Sequence, residues 1–253
     1  MTNDLRKTPV PAPKRRRYAL ALAAGIVLVA LATGVTIVHA ITRTSQPQSL
    51  TEIRPSGIPA SISTQLASEM ALSPVPDRPA PSFTLVDQLD RTVSLSGLKN
   101  KVVVLEFMDP HCIDICPIVA REFVDAYRDL GSQASKVVFV GVNVNPYYRT
   151  PAEVLAFSRA HGLTVIPSWH FLTGTVTALQ IVWKDYGIKV IVPKVNGDII
   201  HTSVVYFIDR HGNERYLASP IVEHTASGKA FLPVASINSW GQGIASVARQ
   251  LIG

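Results

Sequence analysis

The chain has 253 residues, 47% of them hydrophobic and 17% charged, which suffices for one good-sized core and excludes a disordered tail. Its formal charge of +6 would suit a nucleic-acid binder, but residues 1–17 alone carry +5 and leave only +1 for everything downstream. No basic face remains for a duplex, so nucleic acid is not an expected partner, and the N-terminal cluster reads as a topology signal.

From Tyr18 to Ile41 no residue is charged, and at 1.5 Å per residue the stretch can cross roughly 30 Å of hydrocarbon. It reads as a membrane span or a long signal sequence. Val38-His-Ala40 resembles a small-residue cleavage site, yet the apolar stretch exceeds the roughly 7–15 residues of a secretory h-region, which favours an uncleaved transmembrane anchor. With Lys14-Arg-Arg-Arg17 on its near side, the positive-inside rule predicts a cytosolic tail over 1–17, a span over 18–41 and an extracytoplasmic remainder. The expected location is therefore the cell membrane, single-pass. Residues 42–80 hold Pro47, Pro55, Pro59, Pro74, Pro76 and Pro79 among Ser, Thr and Gln and predict a tether, with a short amphipathic piece around Ile62, Leu66 and Met70.

The folded domain is expected over 81–253. Phe83 to Leu85 and Thr92 to Ser94 flank a polar segment and predict a hairpin. Lys101 to Phe107 is a near-continuous β-branched run of the kind found in a strand covered on both faces. Val119, Phe123, Ala126 and Leu130 recur at helical spacing over 117–130, and Lys136 to Val142 reads as a second buried strand, giving a β-α-β unit. A helix over 151–161 has a Pro start and a Gly162 stop. Thr202 to Ile208, the turn Asp209-Arg-His-Gly212 and Glu214 to Leu217 predict a late hairpin, and Ile237, Trp240, Ile244, Val247 and Leu251 a final amphipathic helix. This order predicts an α/β fold, a mixed sheet with helices on both faces. Trp169 and Trp183 are expected to pack.

The only two cysteines lie together in His111-Cys-Ile-Asp-Ile-Cys-Pro117, just after the first buried strand. A strand feeding a helix places Cys116 at or near the helix N-terminus, where the macrodipole and free N–H groups favour thiolate over thiol. If the segment is helical, the two residues share one face with Cα atoms about 6 Å apart, close enough to form a disulfide or to hold one ion. A permanent structural bridge over three residues would remove little chain entropy, so a redox pair or a chelating pair is the stronger reading. His111 is expected to be an ordinary loop residue. His39, His161, His170, His211 and His224 have no comparable company in the sequence.

Cys112, Asp114, Cys116 and Pro117 follow the C-x-x-x-C-P pattern of the Sco/SenC family. The chain resembles that family further in Phe171-Leu-Thr-Gly174, in Tyr186-Gly187, and in Ile200-His-Thr-Ser203 leading to Tyr206-Phe-Ile-Asp209 and Gly212. The resemblance implies a thioredoxin-like fold, a membrane anchor and copper, Cu(I) or Cu(II), on Cys112, Cys116 and His201. It also implies a partner that is a cytochrome c oxidase subunit or another copper acceptor. Two thiolates and one imidazole form a soft, low-coordinate set that suits Cu(I), whereas zinc in a closed site usually takes four protein ligands. The chain departs from the family at Ile113 (usually Pro), at Asn145-Pro-Tyr-Tyr-Arg-Thr-Pro151, where two carboxylates are lost, and at Ile200 (often Asp), and the last two reduce negative charge near the site. Two functions follow. One is a metallochaperone that passes copper on by ligand exchange; the other is a thiol-disulfide oxidoreductase using the Cys112/Cys116 pair, for which His201 is dispensable.

Overall fold

The computed structural model describes residues 54–192 and 199–253. The basic tail, the expected span and the first part of the expected tether lie outside them. Among the described residues no helix is long and apolar enough to cross a membrane.

Six strands form the main sheet: β1 (Ser73–Pro79), β4 (Val102–Met108), β5 (Val137–Asn143), β6 (Trp169–Leu172), β9 (Val205–Ile208) and β10 (Asn213–Ala218), in the order β1-β10-β9-β4-β5-β6. β4 and β5 pair in parallel from Val102↔Val137 to Met108↔Asn143, and β6 continues the parallel half. β9 runs antiparallel to β4, and the hairpin partner β10 carries β1 at the sheet edge. Every residue of β4 and β5 is buried, the burial expected of strands covered on both faces.

Smaller pairs complete the fold: β2 (Thr84–Val86) with β3 (Thr92–Ser94), β7 (Val190–Ile191) with β8 (Ile200–His201), and β11 (Glu223–His224) with β12 (Ala230–Phe231). The helices are α1 (Thr64–Glu69), α2 (Ile115–Leu130), α3 (Pro151–Ala160), α4 (Val176–Asp185) and α5 (Val234–Ile252). Alternation along the strands splits the core in two. Val102, Val104, Phe139 and Phe207 meet α1, α2, α3 and α5 on one face, whereas Val103, Leu105, Phe107 and Val140 meet α4 and the β2–β3 hairpin on the other. Trp169 and Trp183 are buried, their indole N–H groups donating to Ser158 Oγ and the Asn143 carbonyl.

The boundary expected at residue 81 lies too late. Ile58, Ile62, Ala67, Met70 and Leu72 are core residues, and β1 belongs to the sheet despite Pro74, Pro76 and Pro79. The sheet edge explains this: an outermost strand needs hydrogen bonds on one side only, and its pairing register shifts between Pro74 and Arg78. Proline density, read as a tether, here marks an edge strand.

Candidate metal centre

The site is built at the C-terminal end of β4, where the chain leaves the sheet and turns into α2. Asp109 folds that loop. Its Oδ1 accepts from the His111 N–H at 2.8 Å and from Asn145 Nδ2 at 2.9 Å, and its carbonyl accepts from the Cys112 N–H at 3.1 Å. Asn145 in turn accepts from the N–H groups of Tyr147 and Tyr148, an Asx turn that locks the neighbouring loop. The His111 ring stacks on Tyr148, centroids 3.6 Å apart. His111 is thus more than a loop residue: it packs into the cleft wall.

Cys112 lies in the loop and Cys116 in the first turn of α2, so the two do not share one helical face. They are free thiols in mutual contact. The N–H groups of Asp114 and Cys116 both donate to Cys112 Sγ at 3.4 Å. The sulfur therefore caps the helix, taking the place of the Asp114 side chain, which makes no capping bond. A hydrogen bond from the Cys116 thiol, helped by these two N–H groups, lowers the Cys112 pKa below the ordinary thiol value. Cys116 goes the other way: its proton is held by the Cys112 sulfur, and burial adds to the rise. This reverses the assignment expected from position alone. The free N–H groups at the helix start point outward at the loop sulfur, so the thiolate they favour is Cys112.

His201 ends β8, opposite Val190 of β7. Its Nδ1 donates to the Thr202 carbonyl at 3.0 Å, which fixes the tautomer and leaves Nε2 with its lone pair. Burial lowers its pKa, keeping the ring neutral and fit to ligate. Cys112 and His201 line one cleft of about 950 Å³ together with Asp109, His111, Asn145 and Ser203. Among the described residues, however, no three His, Cys, Asp or Glu side chains are gathered closely enough to hold one ion. The imidazole shares the cleft with Cys112 without closing a three-ligand cluster.

His224, set aside in the sequence, belongs to this region. Its Nε2 donates to Asp114 Oδ1 at 3.0 Å, and residues 227–230 of the same β11–β12 hairpin line the cleft. A separation of 110 residues hid that pair. His170 likewise has a partner, Asp87, at 2.9 Å, and neither residue lines the cleft.

A family profile described as SCO1/SenC matches residues 74–226, more than half of the chain. The chain belongs to the SCO1/SenC family. The SCO1 protein homolog of Bacillus subtilis is 28% identical over 132 residues, which cover 51% of this chain and 68% of that protein. A SCO2-like protein of Rickettsia felis is 25% identical over 137 residues, 51% of this chain and 64% of the relative. Among solved structures, a SCO1/SenC family lipoprotein from Bacillus anthracis aligns at TM-score 0.56 and 22% identity, covering 72% of this chain and 98% of that one. The copper-bound ScoI of Bradyrhizobium japonicum aligns at TM-score 0.52 and 24% identity, covering 69% and 99%. These likenesses place the chain in the mixed α/β, thioredoxin-like fold of that family.

The thiol asymmetry has a direct readout. Cys112 is half-buried and activated while Cys116 is 2% exposed and holds its proton. Limiting iodoacetamide at pH 7 is therefore expected to alkylate Cys112 well ahead of Cys116, as read by peptide mass spectrometry. Equal labelling would contradict the assignment.

Proposed function

We propose that this SCO1/SenC protein is a membrane-anchored, extracytoplasmic copper carrier. It binds the ion on Cys112, Cys116 and His201 and delivers it to a copper acceptor such as a cytochrome c oxidase subunit. The observation that supports this reading most is the cleft itself: the Cys112 sulfur, with Cys116 in contact behind it, and a neutral imidazole from a distant strand face one opening. Two thiolates satisfy Cu(I) by softness, and an imidazole added by closure of the β8 arm completes a three-ligand set. Copper is the cargo here, so the site must hold it firmly and still release it. An open mouth with a ligand on a separate arm suits ligand exchange with an acceptor. Loading releases the Cys116 proton, so binding should strengthen as pH rises. Copper-bound structures of the Bradyrhizobium japonicum and Arabidopsis thaliana ScoI relatives agree with this cargo.

The test is anaerobic titration of the reduced chain with Cu(I) in competition with a chelator. One equivalent should bind, and His201→Ala should weaken binding by about 10–100-fold. Unchanged affinity in His201→Ala, together with turnover of a protein disulfide, would shift the reading to the second function.

That second function is favoured by the thiol asymmetry. Cys112 thiolate attacks a partner disulfide, forming a mixed disulfide and releasing one partner thiolate, which takes up a proton. Cys116 then loses its proton and displaces the second partner sulfur, so the pair ends oxidised and the partner ends as two thiols.

A further inference from the structure

β4 holds one residue that its neighbours do not explain. From Val102 to Met108 every position is apolar except Glu106, which is 1% exposed. Strand alternation puts its side chain on the same face as Val104 and Met108, beneath the helices. A carboxyl in such a position costs several kcal/mol unless it is bonded.

Its one side-chain hydrogen bond among the described residues leads to the His201 arm. Ser203 Oγ donates to Glu106 Oε1 at 2.8 Å, and Oε2 has no hydrogen-bond partner among the described residues. Ser203 lies two residues beyond His201 and lines the same cleft. On the other side, the arm is tied to Lys189: the Thr202 N–H donates to the Lys189 carbonyl at 3.1 Å, and the Lys189 N–H to Thr202 Oγ1 at 3.2 Å. Of these two ties, only the one through Glu106 refers the arm to the central sheet. Three residues further along the chain, just past the end of β4, Asp109 folds the cysteine loop. One buried strand thus fixes both halves of the site.

We propose that Glu106 is a positioning residue which, through Ser203, sets the His201 imidazole against the Cys112/Cys116 pair without touching the metal. This role rests on the copper reading above. Burial raises the Glu106 carboxyl to about 8, so at neutral pH it is largely protonated and glutamine reproduces its shape, charge and accepting oxygen.

The experiment compares Ser203→Ala, Glu106→Leu, Glu106→Gln and His201→Ala in the whole chain. The first readout needs no copper: the His201 imidazole resonances of the metal-free chain should move in Ser203→Ala and Glu106→Leu and stay in place in Glu106→Gln. In the copper-loaded chain, the Cu(II) nitrogen hyperfine signal should be lost in Ser203→Ala, Glu106→Leu and His201→Ala and kept in Glu106→Gln. Cu(I) affinity should fall about tenfold in Ser203→Ala and Glu106→Leu. Adding Ser203→Ala to His201→Ala should weaken binding no further, because both remove one contribution. Glu106→Leu replaces a buried acid by an apolar side chain and is expected to fold; Ser203→Ala, beside the cleft, repeats the test without touching the core.

Unmoved imidazole resonances and full nitrogen coupling in Ser203→Ala and Glu106→Leu, with coupling lost in His201→Ala, would overturn the positioning role and leave the copper site standing. Coupling that survives His201→Ala would overturn the ligand assignment and this role with it.

Discussion

Cys112→Ser or Cys116→Ser is expected to abolish stoichiometric Cu(I) binding, with affinity falling by at least about a thousandfold, roughly 4 kcal/mol. A serine hydroxyl is a hard, neutral donor, and one remaining sulfur with one imidazole cannot supply the soft pair that Cu(I) prefers. The two variants should fold. At position 112 the serine oxygen can accept the Asp114 and Cys116 N–H groups that the sulfur now accepts, so the start of α2 stays capped. At position 116 the hydroxyl can still donate to the Cys112 sulfur, as the thiol does. Thermal melts close to wild type, alongside lost binding in chelator competition, would therefore assign the loss to ligation. Wild-type affinity in either variant would remove the two-sulfur site. The same pair separates the two proposed functions. Under thiol-disulfide exchange, Cys116→Ser should accumulate a mixed disulfide on Cys112, since attack proceeds and resolution cannot, whereas Cys112→Ser should accumulate none.

Much of the site was legible because its residues are chemically rare. Two cysteines four apart after a β-branched run need little tertiary information to be noticed, and β4 and β5 follow from continuous apolar runs, the β9–β10 hairpin from its turn residues and α5 from helical periodicity. The family match confirms the resemblance read from Cys112, Cys116, Pro117 and the segment around His201. What stayed hidden depends on what lies across space. The prolines of β1 are tolerated only because that strand is at the sheet edge, a place no local pattern reveals. β6, four residues long, is too short to carry a period. Which cysteine is the thiolate depends on where the α2 N–H groups point, and the loop geometry gave Cys112 the advantage that helix position alone had assigned to Cys116. Asp109 and Asn145 act through backbone N–H groups and leave no spacing signature. Glu106 did leave a signal: a lone acid inside an apolar strand run, visible in the sequence.

Glu122→Gln and Glu122→Met should stabilise the chain by a few kcal/mol at pH 8.5 and by far less at pH 5. Glu122 lies on α2 at 0% exposure, and among the described residues neither carboxyl oxygen has a hydrogen-bond partner. Burial, with the charges of Glu106 and Asp125 adding to it, raises its pKa from 4.5 to about 8. The sign follows from proton binding. The unfolded chain releases this proton near pH 4.5 and the folded chain holds it to about pH 8, so each pH unit between removes up to about 1.4 kcal/mol of stability for this group. Below the window the stability is fully present, and above it the loss is complete. Glu106 is raised over the same range and is coupled to Glu122, so in the wild type the two acids titrate as a pair. Relaxation and water entry reduce the full cost, which leaves a few kcal/mol in practice. Glutamine keeps the shape and removes the titration; methionine also removes the unpartnered oxygens and fits an apolar layer. Urea unfolding at pH 5, 6.5 and 8.5 should show the variant and wild-type curves nearly together at the lowest pH and separating as pH rises. A gap independent of pH would mean that Glu122 is not protonated in the folded chain, and that an internal partner stabilises its charge.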